Sequence, residues 1–263
     1  MISFFRSFFK WGKKQKERQL TVMLIGLDNS GKTTLLSSIQ GNVDHETMPT
    51  VGFDREVVSD GQFTTTYFDL GGGTQIRSIW SSYYVNVHGA IYVIDASDEK
   101  RIEEAKKTLQ DTLSHEFFKG KTLLLFANKQ DLPEALPAAT IAERLELHNL
   151  DVPYNIIGIT ARTEKGKPTD SNIKTGLKWL QQTITKNYDV IDQRVQQETK
   201  QEDERKAAER KEKFKRIKAR KEAREKAEEE EAKRKKEEEQ AKDEEEKDQQ
   251  EEDDAEEEEE EQK

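Results

Sequence analysis

Eight consecutive residues, Gly26-Leu27-Asp28-Asn29-Ser30-Gly31-Lys32-Thr33, fit the pattern G-x-x-x-x-G-K-[ST]. They lie directly after the strand-like "TVMLI" and directly before the helix-like "TTLLSSI". In that setting the glycines let the backbone curl until its N–H groups face an oligophosphate, with a helix N-terminus behind them. Lys32 then reaches the β and γ phosphates, and the Thr33 hydroxyl holds Mg2+. Gly26, Asp28, Asn29, Ser30, Gly31, Lys32, Thr33 and Thr34 are the candidate phosphate contacts. Further along, Asn128-Lys129-Gln130-Asp131 follows the apolar run "TLLLFA". A carboxylate at Asp131 accepts both the N1–H and the 2-amino group of guanine, a donor pair that adenine lacks. The expected ligand is therefore GTP or GDP, with Asn128 and Lys129 completing the base site. Thr160-Ala161, after "YNIIGI", is a weaker companion whose backbone N–H would meet the guanine O6.

These groups need a frame, and the pattern between Leu20 and Ile184 supplies one. Short apolar runs alternate with helix-like stretches such as "RIEEAKKTLQDTL", "ATIAERLEL" and "IKTGLKWLQQTI". "TVMLIG", "AIYVID" and "TLLLFAN" are continuously apolar rather than alternating, as suits parallel strands covered on both faces by helices. Asp60-Gly61, between "FDREVV" and "FTTTYFD", predicts a two-residue hairpin turn and hence one antiparallel edge strand. The expected fold class is α/β: a doubly wound domain on a mixed, mostly parallel sheet.

Composition limits what else the chain can be. It has 263 residues and no cysteine, which excludes disulfides, thiolate metal sites and a catalytic thiol. From Lys200 onward there are 29 acidic and 20 basic residues, so the formal charge of −10 belongs mostly to the tail. No nucleic-acid partner is expected. No apolar run is long enough to cross a bilayer, and the expectation is an intracellular protein that meets membranes from the side.

With the motifs in place, the chain resembles the Arf and Arf-like small GTPases over residues 20 to 184. The shared features are the P-loop, "PTVGF" with Thr50, "DLGG" with Asp69 and Gly72, "IRSIWSSYY", N-K-Q-D and the "TA" element. "FDLGGG", "TARTEKGKPTDSNIKTGLKWL" and a charged helical extension are most like the ciliary, Joubert-syndrome-associated branch. The resemblance implies that Thr50 completes Mg2+ coordination only when a γ-phosphate is present, that Gly72 gives its N–H to that phosphate, and that Asp69 holds a magnesium-bound water. It implies that Phe53, Phe68 and Tyr83 read effectors, although ordinary core packing would also account for them. It also bears on the third glycine of "YFDLGGGTQIRSIW". The family usually places there a glutamine that orients the attacking water, and Gly73 has no side chain to do so. Gln75 stands two residues on, but "IRSIW" aligns without a gap. Nucleotide should bind, and intrinsic hydrolysis should be very slow or absent.

Both ends carry additional expectations. On a helical wheel Ile2, Phe4, Phe5, Phe8, Phe9 and Trp11 share one half, and Ser3, Arg6, Ser7, Lys10, Lys13 and Lys14 the other. Residues 1 to 19 therefore predict an amphipathic helix whose segment 2 to 14 meets an anionic membrane; packing on the domain is the alternative. Ile2 in place of glycine excludes N-myristoylation. The GTPase domain is expected at 20 to 186, a charged helical extension at 187 to 250 and an acidic disordered tail at 251 to 263. Ile184, Tyr188, Ile191 and Val195 keep a 4-3-4 spacing, enough for about two turns to pack against something. The resemblance implies a ciliary switch, with exchange-factor activity in its GTP form toward another Arf-like GTPase. The competing reading is a permanently loaded adaptor whose charged helix binds tubulin or a transport complex.

Overall fold

The computed structural model describes residues 18–42, 50, 52–60, 62–162 and 168–261. Six strands form one sheet in the order β2-β3-β1-β4-β5-β6. They are β1 (Arg18–Ile25), β2 (Phe53–Ser59), β3 (Phe63–Leu70), β4 (Gly89–Asp95), β5 (Thr122–Asn128) and β6 (Tyr154–Gly158). Only the β2–β3 pair is antiparallel. Helices α1 (Lys32–Gln40), α2 (Ile102–Ser114), α3 (Ala138–Arg144) and α4 (Ser171–Lys186) cover the two faces, and a 3-10 helix spans Arg77–Asn86.

The apolar runs divide residue by residue between the two layers, as a strand period of two requires. In β1, Met23 and Ile25 join one cluster while Leu20, Val22 and Leu24 join the other. In β5, Leu123, Leu125 and Ala127 face the first layer, and Leu124 and Phe126 the second. Ile102, Ala105 and Leu109 of α2 close the first layer. Leu35 of α1 and Ile173, Leu180 and Ile184 of α4 close the second. The sheet order reverses about β1, so the crevice at its carboxyl end is the position where such sheets bind ligands.

Two expectations need correction. Asp60 donates its N–H to Phe63 O at 3.1 Å, and its carboxylate accepts the N–H groups of Gln62 and Phe63. It thus closes the ladder rather than sitting at the centre of the turn, whose Gly61 lies outside the described residues. The second concerns the extension. After a break at Asn187, a single helix α5 runs Tyr188–Glu261. It continues through residues 251–261, where like charge predicted disorder, because glutamate remains a good helix former.

The globular unit itself extends to Glu202, not to residue 186. Val195 is buried, and Tyr188 packs on the second cluster, as the 4-3-4 spacing requires. The buried His88 accepts the Thr21 N–H at Nδ1, faces Asp192 through Nε2 at 3.2 Å and stacks on Tyr188 with ring planes 2° apart. Burial holds the His88 pKa below its ordinary value, against the pull of Asp192. The ammonium of Lys121, 1 % exposed, donates to Tyr84 O and lies 3.7 Å from Glu198; burial lowers its pKa to about 8. Arg194 donates to the carbonyls of Lys119 and Glu116. The expected amphipathic segment at residues 1 to 19 falls almost entirely outside the described residues.

A chain ending at Glu202 should melt at the temperature of the full chain. One ending at Lys186 should melt several degrees lower, at about 2–4 °C for each kcal/mol lost. Differential scanning calorimetry of the three chains tests the boundary, and equal melting temperatures would return it to residue 186.

Candidate functional site

The loop after β1 is shaped by two glycines. Gly26 has φ 140°, and a Cβ there would stand 2.1 Å from Val93 O; Gly31 has φ 93°, and its Cβ would stand 2.2 Å from Asn128 Nδ2. Asn29 between them also takes a positive φ of 59°. The result is a loop that turns its amides inward at the start of α1. The buried Lys32 donates to Gly26 O at 3.1 Å and Leu27 O at 2.8 Å, spanning the loop it belongs to. Burial draws its pKa from 10.5 to about 8, with Asp69 and Asp28 opposing. Ser30 Oγ is buried without a partner. A cation short of counter-charge and an orphaned hydroxyl in a cradle of amides fit a phosphate chain.

Below the cradle three oxygen-bearing side chains converge. Thr33 donates to Asp69 Oδ2 at 2.7 Å, Thr50 donates to the same oxygen at 3.2 Å, and the two hydroxyls lie 2.8 Å apart. Asp69 Oδ1 is buried without a hydrogen bond, and burial raises the Asp69 pKa against the hydrogen bond from Thr33 and the charge of Lys32. A hard divalent cation that keeps some waters needs few protein oxygens. Two hydroxyls and a carboxylate with a spare buried oxygen fit Mg2+.

Each of the three glycines after β3 has a separate status. A Cβ on Gly71 would stand 2.7 Å from Thr50 O, and the Gly71 N–H bonds Gly52 O at 2.9 Å. A Cβ on Gly72 would collide with the P-loop backbone, 2.4 Å from both Asp28 N and Leu27 C. Gly73 differs. Its backbone is not left-handed, and a Cβ there would meet only Ile76 Cδ1 at 4.0 Å. Nothing in the packing demands glycine at the position where the family usually has glutamine. Gln75 is exposed, and Gly73 O accepts the N–H groups of Ile76 and Arg77 at the start of the 3-10 helix.

An ion network, unforeseen from the sequence, ties these segments. Arg101 donates to Asp28 Oδ1 at 2.7 Å and to Glu104 at 2.9 Å, while Arg77 donates to Gly72 O and pairs with Glu104 at 2.7 Å. The hydrogen bond from Arg101 holds the Asp28 pKa below its usual value. The Asp28 carboxylate is thereby held by Arg101. Apart from the i,i+3 spacing of Arg101 and Glu104, no spacing rule links residues 28, 77, 101 and 104, so only the fold could reveal the set.

At the guanine end the expected groups are tied to one another within the protein. Asn128 Nδ2 donates to Ser30 O at 2.8 Å, and its Oδ1 accepts the Ala161 N–H at 2.9 Å. Asn128 thus ties the P-loop to the segment after β6. The Thr160 N–H bonds Asp170 Oδ2, so both amides expected at the guanine O6 are engaged within the protein. Asp170, not foreseen, also accepts the Asn172 N–H at the start of α4. Lys129 has φ 67° and pairs with Asp95 at 2.6 Å. Asp131 is exposed, and its carboxylate has no partner among the described residues, as a base-reading group requires.

Phe53, Phe68 and Tyr83 form one cluster. Phe53 stacks on Tyr83 at 4.8 Å, and Phe68 meets both rings edge-on at 5.2 and 5.7 Å. Phe68 and Tyr83 rest on the core, while Phe53 is 39 % exposed and shares the surface of β2 with the more exposed Val57.

Residues 4–184 match the model of the ADP-ribosylation factor family. ADP-ribosylation factor-like protein 13B of Chlamydomonas reinhardtii is 42% identical over 201 residues, covering 76% of this chain. This chain spans 38% of that relative's length. ADP-ribosylation factor-like protein 2 of Arabidopsis thaliana is 34% identical over 181 residues, 68% of this chain and 95% of its own. The solved Arl6 (BBS3) small GTPase of Trypanosoma brucei with bound nucleotide analogue GppNp is 34% identical. It has a TM-score of 0.56 and covers 64% of this chain and 98% of its own.

Phosphate would restore the proton affinity that burial takes from Lys32, so the bound pKa should exceed the free value of about 8. Nucleotide affinity should be flat below about pH 8 and fall above it, by up to about tenfold per pH unit until the bound pKa is passed. Titration of nucleotide-free protein with a fluorescent GDP analogue across that range checks the sign. Affinity that rises with pH would contradict it.

Proposed function

The chain belongs to the ADP-ribosylation factor family, and on that premise we propose that this small GTPase is a guanine-nucleotide switch with very slow intrinsic hydrolysis. The observation that carries the reading is the open space at Gly73, where the backbone would accept a side chain and the chain supplies none. The P-loop amides and Lys32 bind the phosphates, and Asp131 reads the base. Thr33, Thr50 and Asp69 would hold Mg2+, which when bound neutralises charge on the β and γ phosphates. Thr50 and Gly72 respond to the third phosphate together, since the Gly71 N–H to Gly52 O bond links their segments. Phosphate, cation and base can be gripped without any group aimed at the attacking water.

Where the switch acts is read from the resemblance to the ciliary branch and the similarity to factor-like protein 13B: a ciliary membrane, reached through residues 2 to 14. In its GTP form the protein acts as an exchange factor for another Arf-like GTPase. The exposed Phe53 and Val57 and the root of α5 support this as its contact surface. The 74-residue helix favours the second reading, an adaptor with permanently bound nucleotide that holds tubulin or a transport complex. Partner binding that requires GTP supports the switch, whereas binding that ignores the nucleotide supports the adaptor.

GTP-loaded protein should turn over at background rate in a single-turnover assay, and Gly73→Gln should raise hydrolysis on the order of tenfold, about 1.4 kcal/mol of barrier. Gln75→Ala should change nothing. Fast hydrolysis in the unmodified protein that disappears with Gln75→Ala would overturn the slow-switch reading. Asp131→Asn should weaken GDP binding by about 1.5–3 kcal/mol, the range for hydrogen bonds to a charged group, with the fold unchanged by circular dichroism. Competition of labelled GDP by ATP as strong as by GTP in the unmodified protein would refute the assignment of the base.

A further inference from the structure

Helix α5 is not uniformly charged. Residues 205–224 carry 11 basic and 3 acidic side chains, whereas 225–261 carry 23 acidic and 7 basic. The basic block holds the two large apolar residues of the outer extension, Phe214 and Ile217, which are 69% and 58% exposed. At a spacing of three they share one helix face. At 3.6 residues per turn Arg210 and Lys221 fall on that same face, and Lys213 and Lys218 flank it. Glu209, Glu212 and Glu222 fall on the opposite half.

Ion pairing leaves much of this charge uncompensated. Arg205, Arg216, Lys218, Lys221 and Arg224 each pair with a glutamate four residues away. Arg210, Lys211, Lys213, Lys215 and Arg220 have no ion pair among the described residues. A solvated single helix gains from i,i+4 pairs, so five unpaired cations in this block, with Arg210 and Lys213 on or beside the face of the two exposed apolar groups, are not explained by helix stability.

We propose that the 210–221 face of α5 is a docking surface for an anionic lipid membrane. Phe214 and Ile217 enter the boundary between headgroups and acyl chains, and the surrounding cations meet the headgroups. An acidic peptide would satisfy the cations but has no use for adjacent aromatic and aliphatic groups held out to solvent on one face. Within the block the carboxylates of Glu209, Glu212 and Glu222 lie away from that face, which a negative surface requires, and Glu225, the partner of Lys221, stands just beyond its end. The contact is confined to this block, since the acidic residues after it are repelled by the same surface.

Because the chain has no cysteine, a single introduced thiol labels one position. Full-length protein carrying Ile217→Cys with an environment-sensitive fluorophore should shift to the blue on vesicles containing phosphatidylserine and not on pure phosphatidylcholine. The same label at Ala219→Cys, on the opposite half, should not shift. Arg210→Glu with Lys213→Glu should reduce the shift at position 217 several-fold, with helix content unchanged by circular dichroism, and added salt should weaken it. Residues 2 to 14 are identical in all these proteins, so whatever they contribute is constant. Equal responses at positions 217 and 219, or no response to phosphatidylserine, would overturn the proposal. A shift caused by polyglutamate and not by vesicles would overturn it in favour of an acidic protein partner.

Discussion

The rest of the site depends on backbone lying against backbone at Gly72. Its α-carbon approaches Leu27 and Asp28 so closely that a single methyl group would collide with the P-loop. That approach puts the carboxyl end of β3 against the carboxyl end of β1, and the Asp69 carboxylate therefore reaches Thr33 at the start of α1. Thr50 arrives in the same place because Gly71 holds Gly52 by a backbone hydrogen bond. The Arg77 guanidinium, bonded to Gly72 O and paired with Glu104, fixes the exit of the turn. Displacing Gly72 would separate the groups suited to a cation from those suited to phosphate.

The electrostatics of the site turn on two buried groups of opposite charge. Lys32 and Asp69 are both buried, and burial shifts each toward its neutral form, lowering one pKa and raising the other. Lys32 donates to the carbonyl oxygens of Gly26 and Leu27, and Asp69 Oδ1 is buried without a hydrogen bond. Buried charges need compensating partners, and a divalent cation and an oligophosphate would supply them. Position 73 lies outside both sets of groups. Gly73 sits in open space on an ordinary backbone, so its lack of a side chain is not a demand of the fold.

The root of α5 belongs to the domain for a related reason. Its buried contacts include polar ones that leave the domain incompletely satisfied without it. Lys121 and His88 are buried beneath the helix, and Glu198 and Asp192 are the carboxylates that face them. Removing the helix at Asn187 would expose the Ile184 and Tyr188 side of the core and leave both bases without acidic neighbours. Beyond Glu202 the helix continues as a separate unit with its own division of charge.

The sequence by itself determined what is local. The P-loop pattern, the continuous apolar strands, the exposed Asp131 and the 4-3-4 apolar spacing after Ile184 were legible because their meaning depends on neighbours within a few residues. The bareness of position 73 was equally legible, since no fold can supply a missing side chain. Tertiary structure decided whatever joins distant residues. It tied Asn128 to Ser30 and Ala161, and occupied the Thr160 amide with Asp170. It assembled Asp28, Arg77, Arg101 and Glu104, and moved the domain boundary from 186 to Glu202. It also showed that Gly71 and Gly72 are required by close approach and Gly73 is not. A side chain's partner is set by through-space distance after the sheet has closed, and the sheet order β2-β3-β1-β4-β5-β6 that sets those distances is a property of the whole domain.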